Sequence, residues 1–270
     1  MSPSAIFPRA PIGAGMYESF YLRAVAPDEP VGIWIRNTVH KPPGRSPRGS
    51  VWCTVFDARR GSPFMHKLST DRLKAPASAW IEVGEPDANT GEFDAASEGA
   101  RMTAERAQGS CGAARWSLRV TSEEPELRHL PREWMYRAPL PRTKLTSPAP
   151  AASFDGVLEL AGGETIHLRD WRGMVGHNWG AEHAERWIWL HGVGFGEAPE
   201  AWLDVAIGRV SIAGRMTPWV ANGALALDGR RYRVGGLGAR GLRVAETVEG
   251  CALRLKGERG LTIDARIDVP

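Results

Sequence analysis

The sequence has few cysteines, no long apolar run and no block of one charge sign, and each absence excludes a class of protein. Its three cysteines, Cys53, Cys111 and Cys251, are far apart and odd in number, which indicates buried thiols of a cytoplasmic protein rather than a disulfide framework. No apolar run approaches the length of a bilayer-spanning helix. The 34 basic and 31 acidic residues leave a net charge of +3 without a basic stripe, so nucleic acid is not an expected partner.

The start of the chain lacks the charged region and apolar run of a secretory signal peptide. We therefore expect a cytoplasmic protein without a transmembrane segment. A helical stripe a dozen residues long is absent as well, and the 31 glycines and 20 prolines favour many short elements over long helices. One short helical turn is predicted, over residues 180–186, where side chains four positions apart share a face.

Alternation of apolar and polar residues, the period of a β-strand, is the strongest pattern in the chain. In residues 31–40, for example, Ile33, Ile35 and Val39 share one face. Strand-like segments also occupy residues 17–24, 51–57, 114–122, 156–160, 187–195, 201–210 and 251–257. So many short strands separated by turn residues predict an all-β sandwich or barrel.

Prolines are concentrated in residues 138–153. They are Pro139, Pro141, Pro148 and Pro150. Because proline disfavours both helix and central strand, we predict an extended connector here. It would join two β domains, residues 1–137 and 154–270.

Residues 172–192, RGMVGHNWGAEHAERWIWLHG, form the densest cluster of functional side-chain types in the chain. They include His177, His183 and His191, Trp179, Trp187 and Trp189, and Glu182 and Glu185. The histidines lack the tight spacing of zinc motifs and have no cysteine nearby. We therefore predict no metal, although a site assembled from a loop and a strand stays open.

Strand geometry divides the cluster into two faces. Trp187, Trp189 and His191 would point to one side of their strand, and Trp202 and Asp204 to one side of the next. If these strands pair, a carboxyl group lies in aromatic surroundings. The opposite faces are aliphatic, so the tryptophan face is either a structural contact that satisfies the indole N–H groups or a small-molecule site.

Desolvation in such surroundings raises the pKa of a carboxyl group. Asp204 is therefore a candidate proton donor near neutral pH. Indole faces would stabilise a cation formed when the proton is delivered to an alkene.

The run GHNWGAEHAERWIWLHG, with FDGVLELAGGETIHLRDWRGMVGHNWG upstream and YESFYLRA near the start, resembles the lipocalin-like superfamily of carotenoid hydratases (hydroxyneurosporene synthases) and tocopherol cyclases. The resemblance implies two lipocalin-like antiparallel β-barrels or half-barrels packed together. It also implies cofactor-free protonation of a polyene, followed by capture of the carbocation by water or an internal hydroxyl. The family's His-x-Trp pair matches His177 and Trp179, and its aromatic-x-Asp pair matches Trp202 and Asp204. Trp202 stands where the hydratases have tyrosine, which removes a phenolic donor.

The lead hypothesis is thus a cofactor-free hydratase or cyclase for a hydrophobic, isoprenoid-like substrate. Asp204 would be the proton donor and His177 its orienting or base partner. The predicted substrate-binding residues are Trp179, Trp187, Trp189, His191 and Trp202. A non-catalytic carrier of an apolar molecule is the alternative, and a purely structural two-domain β protein is the third reading. Glu18, in the first strand, is a further acid left outside the predicted site, and a homo-oligomeric state is left open.

Overall fold

The computed structural model describes residues 4–212, 214–236 and 241–268. The chain forms two compact units. Unit 1 consists of Met1–Glu126 and Leu145–Glu182, and unit 2 of Leu127–Lys144 and His183–Pro270. Each unit is therefore built from two separate stretches of sequence.

Strands dominate both units. In chain order they are β1 (Met16–Val25), β2 (Val31–Lys41), β3 (Arg48–Asp57), β4 (Phe64–Thr70), β5 (Leu73–Lys74), β6 (Ile81–Gly84), β7 (Gly99–Met102), β8 (Arg106–Cys111), β9 (Ala114–Thr121), β10 (Leu127–Arg128), β11 (Thr143–Glu159) and β12 (Thr165–Gly180). The remaining strands are β13 (Arg186–Phe195), β14 (Ala198–Arg209), β15 (Ser211–Ile212), β16 (Arg215–Met216), β17 (Val220–Leu227), β18 (Arg230–Gly235), β19 (Arg243–Thr247), β20 (Gly250–Lys256) and β21 (Thr262–Asp268).

The helices are short 3₁₀ turns, at Phe7–Arg9, Glu133–Tyr136, Ala161–Gly163 and Glu258–Gly260. Over the described ranges, no helix is long and apolar enough to cross a membrane.

Unit 1 contains one large antiparallel sheet in the order β4-β3-β2-β1-β12-β11-β9-β8-β7-β6-β5, nearly closed into a barrel. Its interior is an apolar core. Alternate residues of β2 supply Ile33, Ile35 and Val39 to this core, with exposed fractions of at most 2%. These are the three residues that the alternation placed on one face, because successive side chains of a strand point to opposite sides. The predicted all-β class is confirmed.

Unit 2 contains a four-stranded antiparallel sheet, β13-β14-β17-β18, a three-stranded sheet, β19-β20-β21, and the small pair β15-β16. Its core includes Val205 and Ile207 of β14 together with Leu253 and Leu255 of β20. The aliphatic face predicted for residues 201–210 is therefore buried between these sheets. The other face of the four-stranded sheet carries Trp202 and Asp204.

Two local expectations differ from the structure. The helical turn predicted at 180–186 is wrong: β12 continues to Gly180, β13 begins at Arg186, and the residues between them are irregular. Most of the predicted connector, 138–153, belongs to β11. Its ladder with β9 begins only at Ser153, so the prolines at 148 and 150 do not interrupt that pairing.

Candidate functional site

Asp204 lies in the middle of β14 and is completely buried. The indole Nε1 of Trp189, on the neighbouring strand β13, donates a hydrogen bond of 2.9 Å to its Oδ1. The second carboxyl oxygen, Oδ2, lies 3.4 Å from Nε2 of His129. His129 is itself 1% exposed. The carboxyl group is thus enclosed and held by two ring nitrogens.

The second ring nitrogen of His129, Nδ1, has a contact that indicates which ring nitrogen carries a proton. Nδ1 is 3.1 Å from the backbone carbonyl oxygen of Asn222. A carbonyl only accepts, so this geometry assigns a proton to Nδ1. A neutral imidazole then has its lone pair on Nε2, which faces Asp204 Oδ2. Two facing lone pairs would repel each other, so this contact is favourable only when a proton lies between the two atoms, on the carboxyl group or on the ring.

Arg233 of β18 holds the chain on both sides of His129. Its Nη2 donates to the carbonyl oxygens of Arg128, His129 and Leu130 at 3.1, 3.1 and 2.9 Å. The Leu130 amide donates to the hydroxyl of Tyr136 at 3.0 Å. This part of Leu127–Lys144 is therefore fixed to the four-stranded sheet of its own unit.

Aromatic side chains surround Asp204 on this face. Trp202, two positions earlier in β14, is 1% exposed, and its indole N–H is shielded from solvent without a hydrogen-bond partner. The guanidinium carbon of Arg231 lies 4.9 Å from the centre of the Trp202 rings. His191 is directly opposite Asp204 in the β13–β14 ladder, with its ring 6.1 Å from that of Trp189.

A second buried acid–histidine pair lies in unit 1. Nε2 of His177 is 2.8 Å from Oε1 of Glu18, and the exposed fractions of the two residues are 3% and 1%. The Glu18 carboxyl group also accepts the backbone N–H groups of Ile6 and Phe7 at 2.8–2.9 Å. Since the carboxylate accepts these two amide N–H groups, it also accepts the hydrogen bond that Nε2–H of His177 donates.

The ring of His177 is stacked between two aromatic rings. Its centre is 3.9 Å from that of Phe20 at an interplanar angle of 7°, and 4.5 Å from that of Trp179 at 25°. The β1–β12 register explains this contact, because Phe20 pairs with His177 and Glu18 with Trp179. All four side chains therefore lie on the same face of the barrel sheet.

The structure distributes the predicted site residues over the two units. Trp189, His191, Trp202 and Asp204 share one face of the four-stranded sheet, whereas Trp187 at the start of β13 is 61% exposed. His177 and Trp179 lie in unit 1. The structure gives Asp204 the neighbour His129, and His177 the neighbour Glu18.

Sequence reasoning missed His129. It stands in LRHL, residues 127–130, which is too short to show a period and contains no motif. Among the residues that the structure describes, no three His, Cys, Asp or Glu side chains are grouped so that they could hold a metal ion.

No protein-family model matches the chain. The uncharacterized protein Rv0493c of Mycobacterium tuberculosis is 33% identical over 191 residues, which are 70% of this chain and 52% of that protein. Its counterpart MT0513, from another strain, matches equally. The chain thus spans about half the length of the curated relatives it matches.

Solved structures share the fold. CghA, known both alone and with Sch210972, has a TM-score of 0.60 at 13% identity, covering 100% of this chain and 82% of that one. NE1406 of Nitrosomonas europaea, assigned as an AttH, has a TM-score of 0.53 at 12% identity, covering 94% and 83%. Identities this low concern the fold alone. At that level, these structures agree with the predicted all-β, barrel-type fold.

Proposed function

We propose that the protein is a hydratase- or cyclase-type enzyme that transfers a proton to a hydrophobic, isoprenoid-like small molecule, with Asp204 as the donor. One observation carries the proposal. Nδ1 of His129 lies 3.1 Å from the Asn222 carbonyl oxygen, and Nε2 lies 3.4 Å from Asp204 Oδ2. From this geometry we infer that the carboxyl group of Asp204 and Nε2 of His129 share one proton. That proton is held away from bulk water beside indole rings.

The proposed reaction begins when the Asp204–His129 pair gives its proton to one carbon of an alkene. The π electrons form the new C–H bond, and the adjacent carbon becomes a cation. A ring face of Trp189 would stabilise that cation, since an aromatic quadrupole attracts positive charge. Water, or a hydroxyl group of the substrate, then forms the C–O bond, and its proton returns to the Asp204–His129 pair. Every proton is accounted for, and the step as proposed uses no cofactor.

In this proposal, His129 has the partner role that the sequence suggested for His177. Trp189 orients the carboxyl group through its hydrogen bond to Oδ1. Trp189 and His191 are half-buried, whereas Asp204 is completely buried. A ligand on this face would therefore meet the Trp189 and His191 side chains first.

Non-catalytic binding of an apolar molecule is the second candidate function, and the indole N–H of Trp202 favours it. A buried donor without a partner costs free energy in the empty protein. A carbonyl or hydroxyl oxygen of a ligand would satisfy this donor without any reaction.

Incubation of the purified protein with isoprenoid alkenes in ¹⁸O-labelled water distinguishes the enzyme from the non-catalytic binding protein. An enzyme of the proposed kind incorporates heavy oxygen, or yields a cyclised isomer, and Asp204→Asn abolishes the product while the bound alkene is retained. Asp264→Asn, an exposed acid of the same unit paired with Arg254, should leave the product unchanged. Retention of the alkene without product by the unaltered protein would leave only the binding function.

A further inference from the structure

A second polar face lies on unit 1, on the side of β1, β2 and β12 opposite to the core residue Phe20. Ser19 of β1 pairs in register with Thr38 of β2 and with Asn178 of β12. Tyr21, two positions further along β1, pairs with Arg36. Directly paired residues of an antiparallel ladder point to the same side, so these side chains form one continuous surface.

This face has buried polar atoms that lack hydrogen-bond partners. Seven such side-chain atoms occur among the described residues, and four of them are here. They are Ser19 Oγ, Trp34 Nε1, Arg36 Nε and Asn178 Oδ1. Nearly all buried polar groups in proteins are paired. A concentration of unpaired ones on three adjacent strands therefore indicates a place where another molecule supplies the partners.

Arg36 determines the charge of the molecule that would fit. Its guanidinium carbon lies 4.8 Å from the centre of the Trp34 rings. In the described part of the chain, Arg36 has no ion pair with a carboxylate. Burial lowers the pKa of the guanidinium group, and the neighbouring Tyr21 phenol opposes that change. Arg36 is half-buried, and a cation partly withdrawn from water without a counter-charge costs free energy, which an anionic oxygen would offset.

Aromatic rings provide the rest of the surface. Gly176 pairs with Tyr21, and a Cβ atom at Gly176 would clash with the phenol ring. The absence of a side chain at Gly176 thus lets the Tyr21 ring lie across the backbone of β12. With Trp34 on β2, this face presents two aromatic rings beside its polar donors.

We propose that this face binds the carboxylate of a small organic acid with an apolar or aromatic body. Arg36 Nε–H, the indole N–H of Trp34 and the hydroxyl of Ser19 would donate to the carboxylate oxygens. The Trp34 and Tyr21 rings would contact the apolar body. This proposal does not depend on the proton-transfer function, because it concerns other residues, in unit 1.

Naphthylacetate and its neutral primary amide are suitable probes, and isothermal titration calorimetry on the full chain measures both. The acid should bind more tightly than the amide. Arg36→Gln should weaken acid binding by about tenfold or more, because a hydrogen bond to a charged group is lost, with a smaller effect on the amide. Trp34→Phe, which keeps a ring but removes the N–H, should weaken binding of the acid less than Arg36→Gln does. Arg119→Gln, an exposed arginine of the same sheet, is the matched control.

The variant Ser19→Ala tests whether the Ser19 hydroxyl binds a ligand or stabilises the fold. This test is valid even if the Arg36 variants do not fold. An unpaired buried hydroxyl contributes nothing to stability, so this variant should unfold at an unchanged or higher urea concentration while binding naphthylacetate more weakly. Equal affinity for the acid and the amide, binding of neither at millimolar concentration, or a destabilised Ser19→Ala with unchanged affinity would each overturn the proposal.

Discussion

His129 Nε2 lies 3.4 Å from Asp204 Oδ2, although His129 follows β10, Asp204 belongs to β14, and neither residue is accessible to solvent. The indole of Trp189 fixes the other carboxyl oxygen. This arrangement predicts different results for an amide and for an apolar side chain at position 204.

Asp204→Asn should fold with nearly unchanged stability. The amide oxygen can accept from Trp189, and the amide nitrogen can donate to the lone pair of His129 Nε2, so both hydrogen bonds persist without the shared proton. We expect a free energy of unfolding within about 1 kcal/mol of the unaltered protein, measured by urea denaturation. Asp204→Leu should cost about 3 kcal/mol, because it leaves both ring nitrogens without the carboxyl group.

Comparison of these two variants distinguishes a structural role of Asp204 from a catalytic one. If catalysis depends on the shared proton, Asp204→Asn is inactive but stable. An Asn variant as unstable as the Leu variant would instead show that the charge of Asp204 holds the unit together.

Glu18 anchors the start of unit 1, and Glu18→Gln tests this role. The carboxylate accepts from the Ile6 and Phe7 amides and from His177, whereas a carboxamide presents only one acceptor atom to these donors. We expect a loss of about 2 kcal/mol in the free energy of unfolding. The amides of Ile6 and Phe7 should also exchange hydrogen faster in solution.

Glu85→Gln provides the comparison, since Glu85 forms an exposed ion pair with Arg72 in the same unit. Exposed pairs contribute little, so this variant should change stability by less than about 1 kcal/mol. Similar losses for the two variants would argue against an anchoring role of Glu18.

Asp57 should make stability depend on pH at the acid end. The Arg59 side chain and backbone amide donate to its carboxylate, which lowers its pKa from 3.8 to about 2. A depressed folded-state pKa contributes stability that is complete above the unfolded value, about 4, and is lost as the pH falls towards about 2. Asp57→Asn should therefore unfold at a lower urea concentration than the unaltered protein near neutral pH. This difference in urea midpoint should shrink between about pH 4 and pH 2. A difference that stays constant across this range would refute the assignment.

The thiols of unit 1 should react only when the protein unfolds. Burial raises the pKa of Cys53 to about 12 and that of Cys111 to about 11, so few thiolates form at mildly alkaline pH. An Ellman titration of Cys251→Ser, which lacks the half-buried third thiol, should show no fast phase in the native state and two thiols in urea. Rapid labelling of either thiol in native protein would contradict this expectation.

The strands were predictable because their pattern is local. Ile33, Ile35 and Val39 alternate with partly or fully exposed residues in sequence and in structure, and the face carrying Trp202 and Asp204 follows from the same period. The contacts between distant side chains could not be predicted in this way, because they do not follow from a local pattern. No spacing rule connects His129 with Asp204, and Glu18 and His177 are 159 positions apart. Such pairs depend on which strands become neighbours, which alternation alone does not specify.

The prolines of residues 138–153 show a second limit of sequence-based prediction, in which a local pattern predicts the wrong structure. Their density predicted an extended connector between two domains, but proline excludes a strand only where its missing N–H is needed by a partner. Since the β9 ladder begins at Ser153, the chain can remain extended before that point and become part of β11. Composition therefore did not predict this strand, because the register of pairing decides where proline is tolerated.

The interleaving of the two units has a consequence for synthesis on the ribosome. Residues 127–144 belong to unit 2, yet His129 is made 93 positions before Asn222, and Arg128 is made 105 positions before Arg233. At typical elongation rates, this delay is on the order of ten seconds. During that interval, the buried imidazole and its neighbouring carbonyl groups have no sheet to bind. A nascent chain halted near residue 182 should therefore present this segment to proteases and chaperones, and release from them should require translation of β17 and β18.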